Sequence, residues 1–90
     1  MTSQAPVVDW PGKIANLSDQ ISQFAVKISD EKDPAKQAEL KVQQAIALVQ
    51  QAKLELQQAR NANLPEEEIL KLKGNLEKAN AHQERLQQGN

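Results

Sequence analysis

Residues 42–60 read VQQAIALVQQAKLELQQAR, and within them a four-residue unit returns every seven positions. The unit is Val42-Gln43-Gln44-Ala45, then Val49-Gln50-Gln51-Ala52, then Leu56-Gln57-Gln58-Ala59. A period of seven kept over three repeats belongs to a helix, because a strand repeats every two residues. Val or Leu at the first position and Ala at the fourth make a narrow seam against which a neighbouring helix can pack closely.

Working outward, Asp33-Pro34 marks where this helix begins. Proline pushes the residue before it out of the α region, and an Asp there caps the first turn. Asn61-Ala62-Asn63-Leu64-Pro65 ends it, so the expected helix covers residues 34–62 and spans about 43 Å at 1.5 Å per residue. Beyond Pro65, Glu66, Glu67 and Glu68 complement the positive end of a helix dipole. Ile69, Leu72, Leu76, Ala79 and Leu86 then recur at steps of three and four or their multiples, which predicts a third helix over 65–88 with Gln83 interrupting its seam. Upstream, Asp9-Trp10-Pro11-Gly12 reads as a helix start, and Ile14, Leu17, Ile21, Phe24 and Ile28 form one apolar stripe in a helix over 10–31. Residues 1–8, with Pro6, read as a disordered N-terminal tail preceding a single domain over 9–88.

Short connections between amphipathic helices make neighbours antiparallel. The expected fold is all-α, an up-down-up three-helix bundle with coiled-coil-like packing and the second helix longest and in the middle. An extended helical hairpin completed by oligomerisation is the runner-up.

Composition bounds the function. Ninety residues make one domain, near the size at which a single core is only just sufficient, so self-association would be a natural supplement. Eleven basic residues against twelve acidic ones give a net charge of −1, without the basic footprint of a nucleic-acid binder. There is no cysteine, which removes disulfides and thiolate metal sites. No apolar run is long enough for a membrane span, and the first residues do not form a signal peptide. The cytoplasm is the default location, with signal-independent export left open.

Nothing in the chain assembles a catalytic set. His82, the one histidine, has no second His or any Cys with which to hold zinc. The three glycines are isolated, so no phosphate loop exists. The row Lys71, Lys78, Arg85 is offset by Glu77 and Glu84 beside it and reads as a solvated face. The expectation is a protein without enzymatic activity, cofactor or metal.

The candidate partner surface is the back of the second helix. Leu40, Ala47 and Leu54 lie seven apart, on a row about 140° from the Val/Leu seam. Gln43, Gln44, Gln50 and Gln51 wall this row with uncharged amides, and depletion of charge around an apolar strip is typical of an interface centre. The same row would serve equally as the seat of a helix from within the chain. Trp10 is a further candidate anchor, its ordinary alternative being to close one end of the bundle.

One segment resembles a known family. Asp33-Pro34-Ala35-Lys36-Gln37-Ala38-Glu39-Leu40, which follows a first helix and opens a long second one, is similar to the interhelical turn of type III secretion needle subunits. The resemblance covers eight to fifteen residues and implies a small helical hairpin that polymerises. At Leu64-Pro65 the chain departs from that pattern and begins a third helix. The reading of the whole is a helical protein–protein interaction module, serving as assembly subunit, adaptor or small chaperone. Its alternatives are a polymerising secretion-apparatus subunit and a monomeric bundle acting through its N-terminal segment.

Overall fold

A computed structural model describes residues 9–88; the expected tail over 1–8 lies outside them. The described residues form three α-helices: α1 (Trp10–Asp30), α2 (Pro34–Asn61) and α3 (Glu66–Gln87). They contain no strand. α2 is the longest, at 28 residues.

Each boundary has a local cause. The Asp9 carboxylate accepts the Gly12 N–H at 3.1 Å, and Pro11 sits in the first turn where its missing donor costs nothing. The Asp33 carboxylate caps α2 in the same way, accepting the Ala35 N–H at 3.1 Å. Between α1 and α2, the Glu31 carboxylate accepts the Asp33 N–H at 3.1 Å and tightens a three-residue turn. α2 ends in a Schellman motif. Asn63 takes a left-handed φ of 55°, the Leu64 N–H reaches the Ala59 carbonyl, and the Asn63 N–H reaches the Arg60 carbonyl, each at 3.1 Å. Pro65 then stands just outside α3 with no side-chain cap, and Glu66, Glu67 and Glu68 supply the favourable charge in its first turn.

The bundle is open. α1 packs on α2 and α3 packs on α2, but α1 and α3 make no close backbone approach to each other. The molecule measures 56 × 29 × 17 Å, so the three helices lie side by side with α2 in the middle. Direction alternates: Leu17 of α1 lies by Leu54, while Ile28 lies by the start of α2. Leu72 of α3 lies by Ala59, while Leu86 lies by Lys41.

An open layer has a thin core. Among the described residues the buried apolar side chains are Leu17, Ala45, Ala47, Val49, Leu56 and Ala59, and five of these six belong to α2. α3 buries none completely, because a helix with one neighbour can cover only one strip of its surface. Its Ile69, Leu72, Leu76, Ala79 and Leu86 are half-buried.

Two glycines test this account. A methyl group added at Gly74 meets nothing within 4 Å, whereas at Gly12 it would meet the capping carboxylate of Asp9. Gly74→Ala should therefore stabilise the protein by about 1 kcal/mol, a rise of several degrees in Tm for a domain of this size. Gly12→Ala should show no such gain, because the added methyl displaces the cap. Thermal denaturation of the two variants beside the parent makes the comparison, and an equal gain at both positions would contradict it.

Candidate functional site

The face of α2 that carries Leu40, Ala47 and Leu54 is where α1 sits. Leu54 shares a cleft with Leu17, Lys13 and Asn16 of α1, together with Gln50, Lys53 and Gln57 of α2. Leu40 shares others with Lys27, Asp30 and Glu31. Ala47, between them, retains only 4% of its exposure. The row expected from the sequence as a possible partner strip is thus occupied within the chain. It is uncharged because another helix of the same molecule packs there.

The glutamines divide by side. Gln44 is half-buried, and its side-chain amide donates to the Ile21 carbonyl at 3.1 Å. One heptad earlier, Gln37 donates to the Ile28 carbonyl at 2.9 Å. The two bonds are seven residues apart on both helices and run in opposite directions, which sets the antiparallel register of α1 on α2. Ile28 is in the last turn of α1, where carbonyls lack an intrahelical donor, so Gln37 satisfies a group the helix leaves open. The Ile21 carbonyl is mid-helix and accepts on its second lone pair. Gln51 continues this line of glutamines and is also half-buried, whereas Gln43 and Gln50 remain exposed. The sequence held the signal for Gln37: it precedes Gln44 by seven residues, just as Ile21 precedes Ile28.

The opposite seam takes α3. Ala45, Val49, Leu56 and Ala59 are all buried, and Ala59 shares a cleft with Leu64 and Leu72. Two lanes remain on α2 between its neighbours. One carries Lys41, Leu48 and Glu55; the other carries Glu39, Ile46 and Lys53. Each triplet lies at heptad spacing, so its members share a line along the helix. Leu48 and Ile46 are half-buried at the middle of their lanes.

The two sides of the layer differ in shape. On the Lys41 side, one cleft of 460 Å³ is lined by all three helices: Ala25 and Ile28 of α1, Lys41 and Gln44 of α2, and His82 and Leu86 of α3. On the other side, the clefts at Glu39 and at Lys53 are lined by residues of the first turn region, α1 and α2 alone. α1 and α3 thus flank a hollow at the Lys41 end of the first lane, while Glu55 at its other end lines a separate cleft between α2 and α3. On the second side α2 forms a ridge beside clefts shared with α1 and the first turn.

His82 is exposed at the rim of the hollow. Trp10 is half-buried at the first position of α1. Of the basic row on α3, Lys71 pairs with Glu68 at 3.8 Å on the surface, worth little in water. Among the described residues no group of His, Asp and Glu is placed to hold a metal ion. No helix among them is long and apolar enough to cross a membrane. Among the described residues no buried side-chain polar atom lacks a partner.

The class defined by these features is an all-α, three-helix layer with surface clefts. No family model matches the chain, and neither a curated protein nor a solved structure is found that is similar to it.

Replacing both Leu40 and Leu54 with Glu should release α1, since each change sets a charge against its seat at a cost of about 2 kcal/mol or more. Because α1 and α3 meet only through α2, amide hydrogen exchange should accelerate throughout residues 10–30 and change least in α3. Equal acceleration in both outer helices would show that the row does not seat α1 selectively.

Proposed function

We propose that the chain is a helix–helix interaction module without enzymatic activity, serving as an assembly subunit, adaptor or small chaperone. Its contact surface is the pair of lanes left open along α2, centred on Ile46 and Leu48. The observation that carries this reading is that α1 and α3 pack on α2 and not on each other, so the longest helix is flanked but not covered. An apolar residue at mid-lane with glutamines beside it has the low charge density of an interface centre. Gln43 and Gln50 border Ile46, and Gln44 and Gln51 border Leu48. The row Leu40, Ala47, Leu54 supports the reading indirectly, by holding α1 in place as one wall of the hollow.

The test uses the full chain immobilised in extract of its native host, beside Ile46→Glu and Leu48→Glu variants of unchanged helicity by circular dichroism. The expected outcome is a protein retained by the parent and lost from at least one variant by about tenfold or more, the usual scale for a charge placed in an interface centre. Identical retention by all three, or none by any together with a monomer in sedimentation, would reject the module.

A further inference from the structure

The two lanes of α2 are complementary to each other. On the ridge, Glu39, Ile46 and Lys53 run acidic, apolar, basic; along the lane that starts in the hollow, Lys41, Leu48 and Glu55 run basic, apolar, acidic. In both, the charges stand one heptad to either side of the apolar residue. We propose that the ridge of one molecule seats in the hollow of a second copy, so that copies stack with their α2 helices parallel. This rests on the interaction reading above and names its partner as the chain itself.

Parallel stacking that brings Ile46 over Leu48 sets Glu39 against Lys41 and Lys53 against Glu55. The antiparallel alternative would oppose Glu39 to Glu55 and Lys53 to Lys41, and like charges facing each other across an interface select against it. Both lanes are framed by glutamine amides, which add hydrogen-bonding capacity without a competing charge. The hollow has room on its α1 side, where Ser18, Ser22, Ala25 and Ser29 are small, uncharged and exposed at helical spacing. On the α3 side, Glu68 lines the cleft that holds Glu55 and has Lys71 at 3.8 Å. Lys41, Glu39 and Lys53 are exposed and Glu55 is half-buried, so the side chains that would pair are within reach of a neighbouring molecule. Ridge and hollow are different surfaces, which makes the contact heterologous. Each added copy presents a fresh ridge and a fresh hollow, and the series stays open unless rotation closes it into a ring.

Two single variants of the full chain test this. Lys41→Glu leaves the hollow lane with two acidic ends; Glu39→Lys leaves the ridge lane with two basic ends. Sedimentation velocity from about 1 µM to about 1 mM spans the range in which a contact of this kind forms. The parent should gain mass with concentration and lose that gain in high salt. Each variant alone should associate about tenfold or more weakly, since one of its two pairs becomes repulsive in either orientation. An equimolar mixture of the two should assemble again, because the basic ridge matches the acidic hollow and the two native surfaces match each other. A parent that stays monomeric, variants that associate like the parent, or a mixture that stays apart would each overturn the proposal. Should a variant lose helicity, Lys41→Gln with Glu55→Gln replaces it and should remove the salt dependence of association; unchanged salt dependence would count against the pairing. A monomeric parent that still retains a host protein through Ile46 or Leu48 would end the stacking proposal and leave the module standing.

Discussion

A helix that must hold one neighbour on each flank cannot divide its surface into one apolar and one polar face, and this constraint shapes α2 and through it the molecule. α2 carries the Val/Ala seam toward α3 and the Leu40, Ala47, Leu54 row toward α1, leaving two narrow lanes for charge. Its apolar content at Ala45 to Val49 therefore runs round the helix. The outer helices need only one stripe each and have it. Since neither outer helix reaches the other, their large side chains other than Leu17 stay partly exposed, and the buried core is made mainly of α2 residues, three of them alanines. Cohesion depends on continuous contact along a long helix more than on any deep centre.

Amides act as the positional control in this arrangement. An apolar helix face alone permits small slips, because apolar contacts are non-directional. Side-chain amides bonded to the Ile21 and Ile28 carbonyls tie particular residues together, and a slip of less than a heptad would leave these partly buried donors without an acceptor. Ala47, one turn beyond Gln44, adds closeness, since a small side chain lets the α1 backbone come within reach of a glutamine.

Much of the fold was legible because its punctuation is local. Asp9, Asp33 and Pro34 announce helix starts through bonds within three residues, and the Asn63-Leu64-Pro65 run ends one helix and precedes the next through backbone geometry of its own. The observed boundaries differ from the expected ones by a single residue, the usual fraying of helix ends. The surface of α2 was harder to read. A wheel drawn for one helix separates the Val/Ala seam from the Leu40 row, but it does not say which neighbour takes which, or whether three helices close into a triangle or lie in a layer. That choice depends on contacts between distant segments. It also decides whether the glutamine walls face solvent or a backbone, and with it which lanes remain free.

The glutamine ties also govern how the molecule can change length. They recur every seven residues on two helices running in opposite directions. A single inserted residue in α1 between Ile21 and Ile28 would turn everything beyond it by about 100° and carry one carbonyl away from its amide. Seven inserted residues preserve the facing, but lengthening α2 alone would leave its new turns without an outer helix on either flank. The molecule can grow or shrink only by whole heptads, about 10.5 Å at a time, with all three helices taking the step together.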